Sequence, residues 1–174
     1  MKKHTISILV ENKFGALNRI VGLFSARGYN IDSISVGTSE DDSVARVTIV
    51  SKGDDDIIEQ IIKQLNKLVD VTKVVDLTYD SFVERELVLV KVSANRTTRP
   101  ELMQISEIFR SKIIDISPRS ITVEATGSEQ KVDALIKMLS PFGIKEIART
   151  GRVALKREFE VYKNRPVIYL QRLL

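Results

Sequence analysis

Residues 6–24, ISILVENKFGALNRIVGLF, change their hydrophobic period once, and this change decides the fold. In the first part, apolar residues recur at every second position, which is typical of a half-buried β-strand: Ile6, Ile8 and Val10. After Gly15, apolar residues follow the spacing of one helix face: Leu17, Ile20, Val21 and Phe24. The stretch therefore predicts a strand that is followed by an amphipathic helix.

The rest of the first half continues in short units of the same kind. Gly28 follows the last apolar position of the helix and supplies the left-handed residue that commonly closes one. Residues 31–36 and 45–49 alternate on either side of an acidic turn, which predicts a hairpin. A second helix over residues 57–65 and a fourth strand over residues 71–77 complete a βαββαβ order.

The second half repeats this order without obvious sequence identity to the first. A strand over residues 87–92 precedes a helix whose first turn contains Pro100. A hairpin that turns at residues 117–120 precedes a second helix capped by Ser128, and residues 144–147 predict the last strand. The buried positions predicted for the first of these helices are Leu102, Ile105, Ile108 and Phe109.

Two such units predict an α+β protein made of two ferredoxin-like βαββαβ domains in tandem. Each domain is expected to be an antiparallel sheet with two helices on one face. We place the domains at residues 1–78 and 84–158, followed by a basic tail of unknown role at residues 159–174. Because the other face of each sheet lacks helices, we expect that face to pair with another unit.

Composition excludes several classes of site. The 174 residues are 43% apolar, enough to fill ordinary cores, and contain no apolar run of the length of a signal or membrane helix. We therefore expect a cytoplasmic protein that does not contact a membrane. The absence of cysteine and the presence of a single histidine exclude disulfides, thiolate catalysis and multi-histidine metal clusters. That histidine, His4, is expected to be an exposed strand end.

The net charge of +4 is unevenly distributed. Through Asp80 there are 10 Lys and Arg against 12 Asp and Glu, and the remaining residues contain 17 against 11. The basic residues of the last stretch suit a solvated tail, docking to an acidic protein surface, or binding to nucleic acid. Against nucleic acid, no helix-turn-helix pattern is evident, and the basic residues lack the interleaved aromatic residues of single-strand binders.

Nothing in the sequence supports catalysis by this chain alone. The phosphate-binding, dinucleotide-binding, nucleophile-elbow and zinc-protease patterns are absent from the sequence. Paired carboxylates at residues 41–42 and 54–56 fit a turn and a helix start. We therefore predict no catalytic residue and no metal site.

The turn from the first strand into the first helix, residues 11–17, has the features of half of an amino-acid site. Gly15 lets a small ligand approach the backbone, and free N–H groups at a helix start attract a carboxylate. Asn12 and Asn30 add neutral amides that can donate to a carboxylate and accept from an ammonium group. The alternative is that Gly15 only shapes the turn and Asn30 only tolerates an unusual backbone angle.

Residues 10–33, VENKFGALNRIVGLFSARGYNIDS, resemble the opening of acetohydroxyacid synthase (acetolactate synthase) small subunits. Other segments resemble the same family in the same order: residues 60–71, 83–87, 108–110, 113–116 and 150–155. The resemblance covers residues 4 to about 158, and the tail beyond it falls outside the pattern.

This resemblance implies an N-terminal ACT domain that forms a homodimer and binds valine, or a related branched-chain amino acid, at the dimer interface. Asn12, Gly15, Ala16 and Leu17 would come from one protomer, and Asn30 and Ile31 from the other. The chain would be a non-catalytic regulatory subunit without a cofactor. Its catalytic large subunit would hold thiamine diphosphate, a divalent metal and FAD. The alternative is an ACT-domain regulator that binds nucleic acid in response to an amino acid.

Overall fold

The computed structural model describes residues 2–158. The basic tail expected at residues 159–174 lies outside the described residues. Two sheets are present in this part of the chain, each with two helices, and they follow each other along the sequence.

The first unit has the βαββαβ order that the sequence predicts. Its elements are β1 (Lys2–Glu11), α1 (Ala16–Ala26), β2 (Ile31–Thr38), β3 (Val44–Gly53), α2 (Asp55–Leu65) and β4 (Val71–Asp76). The strands pair antiparallel in the order β2-β3-β1-β4, so β2 and β4 are the edges. Both helices pack on one face, where Phe24 and Ile61 are fully or almost fully buried against β1 and β3.

The second unit repeats the order. Its elements are β5 (Phe82–Ser93), α3 (Arg99–Ile108), β6 (Lys112–Ser117), β7 (Ser120–Gly127), α4 (Glu129–Leu139), a single 3₁₀ turn (Ser140–Phe142) and β8 (Ile144–Arg149). The sheet order is β6-β7-β5-β8, all antiparallel. The fold class predicted from the sequence, two tandem ferredoxin-like units, is therefore confirmed.

A ninth strand was not predicted. Strand β9 (Val153–Lys156) pairs with the first residues of β5, from Phe82 to Arg85, ahead of the part of β5 that joins the second sheet. β5 thus has two roles, because its beginning pairs with β9 while the remainder is the central strand of the second unit.

The helix boundaries agree with most of the local signals. Gly28 has a positive φ of 70° just after α1, Pro100 lies in the first turn of α3, and the Ser128 side chain accepts from the Lys131 amide. The prediction that Ile108 is buried was wrong, because Ile108 is 70% exposed. At 3.6 residues per turn, Ile108 is rotated by about 120° from Leu102 and so leaves the buried stripe.

The prediction for His4 was also wrong, because its side chain is completely buried. The segment after β4 folds back on β1, where the Leu77 amide donates to the Thr5 carbonyl at 2.8 Å. This places the Thr78 hydroxyl 3.3 Å from His4 Nδ1, and the Tyr79 ring packs edge-on against the imidazole. The burial therefore depends on a segment more than 70 positions away in sequence.

The face of the first sheet that lacks helices is not bare. Thr5, Ser7, Thr48 and Val50 point away from the helices and are nevertheless buried. Segments of the second unit cover part of this face, since Thr5 Oγ1 accepts a 2.7 Å hydrogen bond from Arg152. For the first sheet, the chain's own second unit thus meets part of the expectation that this face pairs with another unit.

Candidate functional site

The turn between β1 and α1 is built around Gly15. This residue has a φ of 82° and immediately precedes the first helical residue, Ala16. The Ala16 amide donates to the Lys13 carbonyl at 3.2 Å, whereas the next amides of a helix have no partner within it. A left-handed glycine at this point leaves the helix start open to a ligand. Leu17 lies beside it with a side chain that is 40% exposed.

Asn12 is fixed to the hairpin between β2 and β3. Its side-chain amide donates to the Asp42 carbonyl at 2.9 Å, and its backbone amide donates to the Ser43 carbonyl at 2.7 Å. The side-chain carbonyl oxygen has no hydrogen-bond partner among residues 2–158. Asn12 therefore contributes an acceptor, in a fixed position, on the same turn as Gly15.

A buried carboxylate anchors this turn from both sides. Asp70, just before β4, accepts from the Lys13 ammonium at 2.8 Å and from the Arg19 guanidinium. The Lys13 hydrogen bond, helped by Arg19, lowers the pKa of the Asp70 carboxyl below its usual value, although burial opposes this. The three charged residues hold the turn on either side of Gly15. Sequence reasoning missed them because Asp70 is 51 positions from Arg19 and no local pattern joins them.

Asn30 and Ile31 lie at the opposite end of the same sheet. Ile31 is opposite Ser51, which in turn is opposite His4 near the beginning of β1. The Gly15 turn follows Glu11, seven residues further along β1 and thus about 23 Å away at 3.3 Å per residue. Of the six predicted site residues, the structure brings Asn12, Gly15, Ala16 and Leu17 together in one chain, and does not bring Asn30 and Ile31 to them.

The Asn30 end instead faces the second unit. A cleft of about 530 Å³ lies between residues 30–34 and residues 149–152. Gly151 has a φ of 77°, and a Cβ added there would lie 3.2 Å from the Ser33 Cβ. The Ser35 hydroxyl donates to the Thr150 carbonyl at 2.8 Å. The segment from Thr150 to Arg152 therefore packs closely on β2.

Arg152 joins the two units through charged contacts. Its side chain is 12% exposed and contacts Glu84 at 2.9 Å, Glu129 at 2.6 Å and the Thr5 hydroxyl at 2.7 Å. Lys3 also pairs with Glu129. Burial acts to raise the pKa of Glu129, but the hydrogen bond from Lys3 and the Arg152 charge together lower it below its usual value. Arg152 thus connects Thr5 on β1 with two carboxylates of the second unit.

The part of the chain that the structure describes contains no cluster of three or more His, Asp or Glu side chains able to hold a metal ion. Within residues 2–158, no helix has the length and apolar character needed to cross a membrane.

Two families match adjacent parts of this chain. Residues 6–73 match the AHAS small subunit-like ACT domain, and residues 85–158 match the small subunit of acetolactate synthase. A probable acetolactate synthase small subunit of Archaeoglobus fulgidus is 52% identical over 155 residues, which are 89% of this chain and 97% of that protein. The chain belongs to the acetolactate synthase small-subunit family. The resemblance seen in the sequence is thereby confirmed.

Other members of the acetolactate synthase small-subunit family agree with this assignment. The acetolactate synthase small subunit of Aquifex aeolicus is 48% identical over 162 residues, 92% of this chain and 84% of that one. A crystal structure of the small subunit from Thermotoga maritima has a TM-score of 0.82 and 45% sequence identity, covering 90% of this chain and 98% of that one. The two-unit arrangement is therefore also found in a solved small subunit.

Proposed function

We propose that this chain is the regulatory subunit that activates the catalytic large subunit of acetolactate synthase and makes it sensitive to valine or another branched-chain amino acid. The chain itself performs no chemistry. Thiamine diphosphate, a divalent metal and FAD belong to the large subunit. Residues 1–78 bind the amino acid and dimerise, and residues 84–158 transmit the response. Membership of the small-subunit family and its ACT domain support this proposal.

The separation of the two half-sites is the observation that carries the proposal. Gly15 and Asn30 lie at opposite ends of one sheet, and both ends are exposed. A single chain therefore cannot surround a small ligand with both sets of residues. Two copies can do so if the end of one sheet meets the opposite end of the other.

Pairing between the β2 edges of two copies gives that geometry. β2 is an edge of the first sheet, so its outer backbone groups are available to a second strand. Antiparallel pairing about a two-fold axis places Ile31 of one copy beside the Thr38 end of the other. Thr38 is opposite Ala45, which is opposite Val10, so this is the end that carries the Gly15 turn. Two equivalent interfacial sites result.

In each site, the ligand carboxylate meets the amides at the start of α1 and the ligand side chain packs beside Leu17 and the partner's Ile31. Binding regulates only if one arrangement of the dimer holds the amino acid better than another. A difference of about 1 to 3 kcal/mol gives roughly 5-fold to 150-fold modulation. Because Asn30–Ile34 line the cleft shared with residues 149–152, a shift at the dimer interface reaches the second unit.

Complementation between two variants tests the shared site. Gly15→Asp puts a carboxylate where the ligand's own must lie. A side chain is strained at this φ of 82°, and aspartate is one of the residues that adopt the left-handed region more often than most. Asn30→Ala removes an amide from the other half-site, which weakens binding about 10-fold to 100-fold. Each variant alone should lose high-affinity valine binding in calorimetry. An equal mixture, unfolded and refolded together, should regain about one quarter of the wild-type sites, because each mixed dimer contains one intact site.

Gly22→Asp is the matched control, since Gly22 is an exposed residue in the middle of α1 with open space around its Cα. It should bind valine normally, alone or mixed. Lack of recovery in the mixture of Gly15→Asp and Asn30→Ala would show that no site is shared between chains. Activity of the large subunit, measured with and without the wild-type chain and valine, tests the regulatory role itself.

A further inference from the structure

Three loops meet at one end of the second sheet. They join β5 to α3 (residues 94–98), β6 to β7 (residues 118–119) and α4 to β8 (residues 140–143). The Arg119 carbonyl accepts from the Ala94 amide at 3.1 Å and from the ammonium group of Lys145 on β8 at 3.0 Å. The Ser93 amide donates to the carbonyl of Gly143 in the third loop at 2.9 Å. The Arg99 guanidinium donates to the Ser117 carbonyl on the same hairpin.

We call this surface the basic end, defined by Arg96, Arg99, Arg119 and Lys145. The three loops contain no aspartate or glutamate. Among residues 2–158, no carboxylate lies within ion-pair distance of any of the four cations. The nearest acidic residue on β8, Glu146, is paired with Lys91.

At the opposite end of the same sheet, arginine side chains are paired with carboxylates. Arg149 pairs with Glu86 at 2.7 Å and with Asp133 at 3.1 Å. Arg152 pairs with both Glu84 and Glu129. The cations at that end are therefore balanced by carboxylates, whereas those of the basic end have no carboxylate partner among residues 2–158.

The fold itself does not require the charges of Arg96 and Arg119, two of the four cations. Arg96 and Arg119 are exposed, and their side chains make no hydrogen bond or ion pair within residues 2–158. Cations held close to one another repel, which opposes folding slightly and is relieved when an anionic surface approaches. Unpaired cations on rigid loops are suited to such an encounter because the ordered loops lose little freedom on binding.

We propose that the basic end docks an acidic surface of the catalytic large subunit. This inference rests on the proposed function and adds a location and a chemistry for the contact. A protein surface fits better than nucleic acid, because the exposed residues of the three loops include no aromatic side chain on which a base could stack. The contact lies on the unit that does not carry the amino-acid site, so the second unit is held by the partner while β2 responds to the ligand.

The test is the affinity of the full-length chain for the purified large subunit, measured at several salt concentrations. Arg96→Glu/Arg119→Glu reverses the two exposed cations that support no loop. Binding should weaken by roughly tenfold or more at low ionic strength, and its salt dependence should become shallower. Arg96→Gln/Arg119→Gln, which only neutralises these positions, should give an intermediate loss.

Lys67→Glu/Lys137→Glu is the control, because both lysines are exposed and unpaired within residues 2–158 and the change in net charge is identical. It should bind the large subunit as the wild type does.

Equal weakening in the control would show that net charge alone acts, and unchanged binding of Arg96→Glu/Arg119→Glu would likewise overturn the docking site. A duplex DNA or RNA probe that binds the wild type and not this variant, with large-subunit binding intact, would assign the surface to nucleic acid instead. If the wild-type chain does not bind the large subunit at all, the proposed function fails and not merely the location.

Discussion

At the scale of the residue, the His4 imidazole fills the space between β1 and the segment that follows β4. Thr78 lies 3.3 Å from Nδ1, and the Asp55 carboxylate lies 3.5 Å from Nε2. His4→Ala removes a fully buried ring, so we expect it to lower the free energy of unfolding by about 2 to 4 kcal/mol. The neighbouring Lys3→Ala, which alters a half-exposed side chain, should cost less than about 1 kcal/mol. Urea unfolding of the two variants measures both, and equal effects would contradict the packing role of His4.

Residue by residue, the sequence predicted what depends on neighbours and not what depends on distant segments. As expected, Gly28 ends one helix and Ser128 begins another, because such signals act within one turn of helix. Asp70 and His4 acquire their environments from segments 51 or more positions away, which local patterns do not encode. The sequence predicted that Asn12 and Gly15 lie together because they are only three positions apart. The contact of Gly151 with β2 could be seen only in the structure.

At the scale of the element, period-2 and helical patterns predicted all strands and helices of the two βαββαβ units, but not β9. The segment of β9 is only four residues long, and none but Ala154 is buried, so its pattern is weak. Its partner, the start of β5, lies about 70 positions earlier, and only the fold brings the two together.

Two ion pairs between β5 and β8 allow a direct comparison of buried and exposed charge. The Glu86 side chain is 7% exposed and its partner Arg149 is 36% exposed, whereas the Lys91 and Glu146 side chains are 42% and 69% exposed. The hydrogen bonds to Glu86 also raise the pKa of Arg149. Arg149→Met leaves Glu86 buried without its partner and should lower the free energy of unfolding by about 2 kcal/mol, below the range for fully buried pairs because Arg149 is partly solvated.

Lys91→Met on the same two strands is the matched control and should change stability by less than about 1 kcal/mol. Adding Glu86→Gln to Arg149→Met should recover part of the loss, since the unpaired charge is then gone. If the two single variants were equally stable in urea unfolding, burial of Glu86 would not be the reason for the effect.

At the scale of the whole molecule, the two units touch through the face of the first sheet that lacks helices. The sequence predicted that this face needs cover, but it did not indicate that the chain's own second half provides part of it. Three of the residues that make the contact, Thr150 to Arg152, follow the last predicted strand and have no periodic pattern. Under the proposed function, a signal from the dimer interface crosses this contact on its way to the second unit.

Arg152→Met tests whether this contact carries the regulatory response. The substitution removes the link from Thr5 on β1 to Glu84 and Glu129, while the apolar stem retains most of the packing of the arginine. The amino-acid site and the basic end contain no part of this link, so valine binding and activation of the large subunit should persist. Inhibition by valine should weaken several-fold, because less of the coupling free energy reaches the second unit.

Arg157→Met is the control for this change, since Arg157 is exposed and contacts Ser81 through its backbone amide. It should leave activation and inhibition as in the wild type. Valine titrations of the reconstituted synthase provide the inhibition constant, and calorimetry of the isolated chain provides the affinity. Because Arg152 connects Thr5 with both Glu84 and Glu129, its loss should separate these two quantities. If Arg152→Met left the inhibition constant and the valine affinity both unchanged, or weakened both, Arg152 would not carry the coupling.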